Sequence, residues 1–180
     1  DIGLRAAILK ILLDNAAKYE IQLRDEEKLL KENFGNVLGE LIEKLHTKYN
    51  EKVALLIDEY DKPIIDYMTD IDKAEENRDI LRDFYGIIKP MVPHLEFVIL
   101  TGVTKFSKVS IFSELNNLRD ITTSEHYSTI VGLTKEEIEA NFNDYEAESL
   151  KKFNLSKDDF YKKLKNWYNG YSWDNKKVVY

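Results

Sequence analysis

Val53-Ala-Leu-Leu-Ile57 runs directly into Asp58 and Glu59. Such a segment is a short apolar strand that delivers two carboxylates at its carboxyl end. Ligands gather at that end in open α/β sheets. An Asp there can hold Mg²⁺, directly or through its waters. A Glu one residue further out can polarise a water for attack on a γ-phosphate. This is the pattern called Walker B. Taken alone, it also describes an ordinary strand meeting solvent.

Other chemistries fit the residues less well. A two-carboxylate hydrolase could pair Asp58 with Glu59 or Asp61. Adjacent strand residues point to opposite faces, however, which argues against a shared acid–base site. Glu59-Tyr60-Asp61-Lys62 misses the spacing of a PD-(D/E)XK nuclease by one residue. His46, His94 and His126 are far apart in the sequence and form no HxxxH pattern, so a zinc site is not expected.

The elements that must position Asp58 and Glu59 can be read from periodicity. Leu4, Ile8, Leu12 and Ala16 share one face of a helix over roughly 2–19. Phe34, Val37, Leu38, Leu41, Ile42 and Leu45 define a second helix. Val53–Ile57, apolar without interruption, reads as a strand buried on both faces. A further helix from about Asp72 buries Ile80, Leu81, Phe84, Ile87 and Ile88, and Pro90 and Pro93 punctuate its end. Phe97–Leu100 is a second buried strand, so 53–101 has the layout of a right-handed βαβ unit. A polar loop follows over about 104–120. Thr129-Ile130-Val131 is a candidate third strand. Thr134 with Glu137 predicts a capping box, and Ser156 with Asp159 another cap. Phe160, Leu164, Trp167 and Tyr168 line the last helix. Asn169-Gly170 predicts a turn before a closing hairpin or strand at 176–180. Asp61 and Lys62 are expected to make a structural turn or ion pair before Pro63. The fold class is α/β: a partial parallel sheet flanked by helices over 1–133, then a mainly helical part over 134–180.

The 180 residues are ample for a core, with 43% apolar and 33% charged residues. There is no cysteine, so disulfides and thiolate metal sites are excluded, and a reducing, cytoplasmic setting is expected. No apolar run approaches the roughly 20 residues that span a membrane. Asp1-Ile2-Gly3 carries neither an initiator methionine nor a signal-peptide pattern, and reads as the middle of a longer protein.

Two longer words carry a resemblance. Ala54-Leu-Leu-Ile-Asp-Glu-Tyr-Asp-Lys-Pro63 and the stretch from Phe97-Val-Ile-Leu-Thr-Gly to Ser113-Glu-Leu-Asn-Asn-Leu-Arg-Asp120 closely resemble the AAA-ATPase-like family of bacterial and archaeal proteins. Trp167-Tyr168-Asn169-Gly170-Tyr171 is similar to that family's Tyr-Asp-Gly-Tyr word, with Asn169 where Asp is typical. The resemblance implies a P-loop NTPase fold of the ASCE type, often followed by a PD-(D/E)XK nuclease-like domain. It implies Asp58 as the Mg²⁺ residue, Glu59 as the catalytic base and Thr101 as the sensor that contacts water or γ-phosphate. Thr104 and Lys105 are alternative sensors, and Thr101 also reads as an ordinary strand-to-loop threonine.

One motif of that fold is missing. Phosphate binding requires G-x-x-x-x-G-K-[S/T] between strand and helix, and no such stretch occurs here. Gly35 and Gly39 are four apart on a helix with no Lys-Ser/Thr after them. In the family the loop lies upstream of residue 1, with the first two strands. ATP and Mg²⁺ are therefore expected in a complete parent protein and not on this chain alone. Expected partners are the upstream phosphate-loop segment, a downstream nuclease-like domain and a second copy of the chain.

Charge is unevenly spread. Residues 151–180 hold eight lysines and three acids, a net of +5, whereas the first 150 residues sum to −12. An acidic body binds nucleic acid poorly. The tail, with Phe153, Phe160, Tyr161, Trp167, Tyr168, Tyr171, Trp173 and Tyr180 among its lysines, reads in two ways. It is either a helix with a buried aromatic face and a solvated lysine face, or a non-catalytic module that binds protein or nucleic acid.

Overall fold

The computed structural model describes residues 3–24, 34–103, 111, 118–168 and 170–180. The chain divides into two compact units, Asp1–Leu118 and Arg119–Tyr180.

In the first unit, α1 (Leu4–Lys18) and α2 (Phe34–Tyr49) precede β1 (Val53–Ile57). A short α3 (Lys62–Ile65), α4 (Ile71–Gly86), α5 (Ile88–Met91) and a 3₁₀ turn at Val92–His94 then lead to β2 (Leu95–Leu100). The periodic faces read from the sequence are the buried ones. Ile8, Leu12 and Ala16 of α1 meet Val37, Leu38, Leu41 and Ile42 of α2, with Ile80, Leu81 and Phe84 of α4 and Ile88 of α5 in the same cluster. The Asp70 side chain caps α4 by accepting from the Lys73 N–H at 3.1 Å. Gly39 lets α2 lie close to the segment after α4: a Cβ there would sit 3.1 Å from Ile87 Cγ1.

β1 and β2 pair in parallel, with Ala54 opposite Phe97 and Ile57 opposite Leu100. An irregularity between Val53 and Ala54 sets this register. The sheet departs from the expectation of two covered faces. Val53, Leu55, Ile57 and Val98 pack on the helical core. Leu56 is 68% exposed and Phe97 47%, on the opposite face. The physical reason is the period of two along a strand: among the described residues, helices cover one face only.

The second unit holds a 3₁₀ turn (Glu125–Tyr127), α6 (Lys135–Asn141), α7 (Asn143–Phe153) and α8 (Lys157–Tyr168). Both predicted caps are present. The Thr134 hydroxyl accepts from the Glu137 N–H and the Glu137 carboxylate accepts from the Thr134 N–H. Ser156 Oγ accepts from the Asp159 N–H at 3.1 Å. Asn154 ends α7 in the left-handed region at φ 47°. Thr129–Val131 is not a strand. It is turn and bend, closed by the Ile130 N–H on the Tyr127 carbonyl, and backbone pairing falls instead between Leu133 and Tyr180. The closing hairpin is a single antiparallel bridge, Tyr171 with Val179.

The last helix also differs from the buried-face expectation. Tyr161 is buried and its hydroxyl donates to Glu146 Oε2 at 2.7 Å, whereas Trp167 is 81% exposed and Tyr168 65%. The side chains that α6 and α7 bring to α8 meet Lys157 and Tyr161. Both contacts lie in its first half, whereas at its last turn the Lys165 side chain lies near Gly170.

Two outcomes are expected. Each strand has one unpaired edge among the described residues, and the free face is apolar; both favour association between sheets. Light scattering should show mass rising with concentration, and Leu56→Lys should reduce the rise. A strictly monomeric, cooperatively melting chain would contradict this. The second outcome concerns acid. The Tyr161 hydroxyl, with Lys157, holds the Glu146 carboxyl below its usual range. The Lys177 and Lys176 N–H groups hold Asp174 at about 2. Groups depressed by folding stabilise above their unfolded values and lose that contribution as pH falls through the folded ones. Melting temperature should therefore drop between about pH 4.5 and 2, and Asp174→Asn should flatten the lower part of that drop.

Candidate functional site

The parallel register brings the carboxyl ends of β1 and β2 side by side. The Thr101 N–H donates to the Ile57 carbonyl at 2.9 Å, and the Tyr60 N–H to the Thr101 carbonyl at 2.9 Å. The ladder thus continues past both strands and fixes Asp58 against Thr101. The Thr101 hydroxyl donates to Asp58 Oδ1, and the Glu59 N–H donates to the same oxygen at 3.0 Å. The Glu59 N–H also lies 3.3 Å from Thr101 Oγ1. Asp58, Glu59 and Thr101 are all solvent-exposed.

Glu59 occupies the left-handed region at φ 52°, an uncommon setting for a residue with a Cβ. The turn it makes is closed by the Lys62 N–H on the Glu59 carbonyl at 3.0 Å. The Glu59 carboxylate has no hydrogen bond or ion pair among the described residues and faces water. Three sequence-selected residues, Asp58, Glu59 and Thr101, therefore lie together. Thr104 and Lys105 lie outside the described residues.

Sequence reasoning missed the weight carried by Asp61. It is fully buried, at 0% exposure. Its Oδ2 accepts from the Val103 N–H at 2.9 Å, and its carbonyl accepts from the Ile64 and Ile65 N–H groups that begin α3. Asp61 thus joins the turn after β1 to the segment after β2. The expected turn before Pro63 is present, but the nearby ion pair is Lys62 with Asp66 at 3.6 Å. Burial removes Asp61 from any solvent-facing pair with Asp58 or Glu59. An available signal was Asp directly before Lys-Pro, a start pattern for a helical turn.

Gly102 permits this arrangement. A Cβ there would lie 2.6 Å from the Tyr60 ring and 2.7 Å from Asp61 Oδ1. Behind them, Asn77 donates to the Pro63 carbonyl at 2.7 Å. Burial, then Tyr60 and Asp61 nearby, raise the Tyr85 phenol above its usual range.

His46 and His94, distant in sequence, have ring centroids 5.0 Å apart. Periodicity cannot reveal this, because the crossover between the strands brings them together. Among the described residues no group of three or more His, Cys, Asp or Glu side chains could hold a metal by itself. No helix among them is long and apolar enough to cross a membrane.

Gly102→Ala should lower stability by about 1–3 kcal/mol, the range for forcing a methyl group into a filled space. Asp61→Ala should be at least as damaging, since it removes a fully buried side chain together with its hydrogen bond from the Val103 N–H. Chemical denaturation of both variants checks this. Near-wild-type stability for Gly102→Ala would mean that Tyr60 moves aside easily.

Comparison with known proteins bears on these residues. The family described as Predicted AAA-ATPase matches residues 3–112, which include β1, β2, Asp58, Glu59, Asp61 and Thr101. An uncharacterized protein in the vnfD 5′ region of Azotobacter chroococcum mcd 1 is 44% identical over 140 residues, 78% of this chain and 25% of that protein. The chain thus spans about a quarter of that relative's length. No solved structure matches. Its strand, its acidic turn and the segment closing on them lie within the matched residues, and the chain belongs to the Predicted AAA-ATPase family.

Proposed function

We propose that the chain is the Walker B and sensor part of an ATP-binding and hydrolysing switch of the P-loop NTPase type. The observation that carries this reading is the contact between the Asp58 carboxylate and the Thr101 hydroxyl at neighbouring carboxyl ends of parallel strands. Family membership supports it.

The residues suit a hydrated Mg²⁺. Asp58 is exposed, and only its Oδ1 is engaged among the described residues. Mg²⁺ is usually held by one or two carboxylates plus phosphates and waters, so a dedicated cage is not needed. Asp58 would hold the ion, which when bound neutralises phosphate charge. Glu59 reaches water from a turn fixed by its own N–H, and serves as general base for the attacking water. Thr101 keeps Asp58 oriented and offers a hydroxyl to water or phosphate. Thr104 is the alternative for that polar contact.

In this reading the phosphate grip comes from an upstream segment carrying the glycine-rich loop. Hydrolysis then drives a conformational change in a cytoplasmic protein, with a nuclease-like domain as one attached effector. The 180-residue chain lacks the loop motif. Calorimetric titration with Mg-ATP should give no micromolar binding. In a longer polypeptide containing the loop, Glu59→Gln should lower hydrolysis by about 10²–10⁴-fold with ATP binding retained. Asp58→Asn should weaken the response to Mg²⁺. Normal hydrolysis by Glu59→Gln would remove Glu59 from the role of base.

A further inference from the structure

From the last turn of α8 and the closing bridge we infer a binding surface for single-stranded nucleic acid on the second unit. Trp167, Tyr168, Tyr171 and Trp173 are 81%, 65%, 58% and 41% exposed, a set of rings that folding leaves in water. Lys163 and Trp167 share a helix face at i, i+4 spacing. The chain then turns back on itself. A Cβ at Gly170 would meet Val178 at 2.7 Å and the Lys165 side chain at 3.9 Å, so the closing bridge lies against the end of α8. The Tyr171–Val179 bridge sets Trp173 and Lys177 two residues from the paired positions, on opposite arms.

Charge selects the occupant. Lys157, Lys162 and Lys176 are committed to Glu139 and Glu146, to Asp159 and to Glu125. Lys165 and Lys177 have no ion pair among the described residues, and Lys163 shares the field of Asp159 with Lys162. The one acid of the hairpin, Asp174, is turned onto the Lys176 and Lys177 N–H groups at 2.8 and 2.9 Å. Asp158 and Asp159 sit in the first turn of α8, two turns before Trp167, and Asp159 lies one turn before Lys163. The surface therefore offers flat π-faces together with the ammonium groups of Lys165 and Lys177, which no acid pairs among the described residues, and that of Lys163, which shares Asp159 with Lys162. Unpaired bases stack on such rings while lysines neutralise the phosphates between them. A duplex hides its base faces. An acidic peptide uses the lysines and leaves the rings in water.

Both tryptophans of the chain lie on this surface, so their emission reports occupancy directly. Titrating the 180-residue chain at low salt with an oligo-dT of sixteen nucleotides should give a saturable quench. Three phosphate contacts predict a slope of about −2 for log affinity against log salt. Trp167→Ala with Tyr168→Ala should weaken binding about tenfold or more, read by labelled-oligonucleotide anisotropy. Lys163→Glu with Lys165→Glu should flatten the salt slope. Circular dichroism matching the parent shows that each variant folds, and the salt slope of the unaltered chain stands apart from any variant. No quench, or equal binding of a duplex of the same length, would overturn the proposal. Equal binding of poly-glutamate would overturn it in favour of an acidic protein partner.

Discussion

The parallel pairing of β1 with β2 is the constraint on which the site rests. Because Ile57 stands opposite Leu100, the next residues, Asp58 and Thr101, become neighbours. The Thr101 N–H and carbonyl bind the chain on either side of Asp58, through Ile57 and Tyr60. A slip of one residue would turn Val53, Leu55 and Ile57 out of the core and part the two polar side chains. The apolar helix faces thus fix the geometry of the candidate site indirectly, since they choose which face of β1 is buried.

Asp61 and Gly102 hold the same junction from below. One is a carboxylate with no exposure, and the other is a position without space for a methyl group. Their joint effect is to tie the chain after β1 to the chain after β2. Glu59 is left to project from a left-handed turn into water. The division is between a buried acid that holds the backbone and two acids that stay exposed to water.

Much of this was legible in the residues. Helical spacing located α1, α2 and α4, and the Thr134–Glu137 and Ser156–Asp159 patterns located two caps, because such signals are local. The position of Asp58 and Glu59 at the end of a strand was legible for the same reason. What escaped depended on distant neighbours. An apolar run such as Val53–Ile57 cannot reveal whether one face or two will be covered. Trp167 and Tyr168 share a pattern with a buried stripe, yet α8 meets its partners through Lys157 and Tyr161. Thr129–Val131 has strand-forming residues but no partner at that point, and Leu133 takes the pairing with Tyr180. Asp61 was readable as the start of a turn, but its burial follows from Val103 and Gly102, more than forty positions later.

The long crossover has a kinetic consequence. Everything from residue 58 to residue 94 must be brought back before β2 can lie beside β1. That closure spends chain entropy before any ladder bond repays it. The hydrogen bonds within each helix span four residues and need no such closure, whereas the Asp58–Thr101 contact has to wait for it. Until it does, two apolar strands wait with their backbone groups open, and the competing partner nearest in time is another chain doing the same.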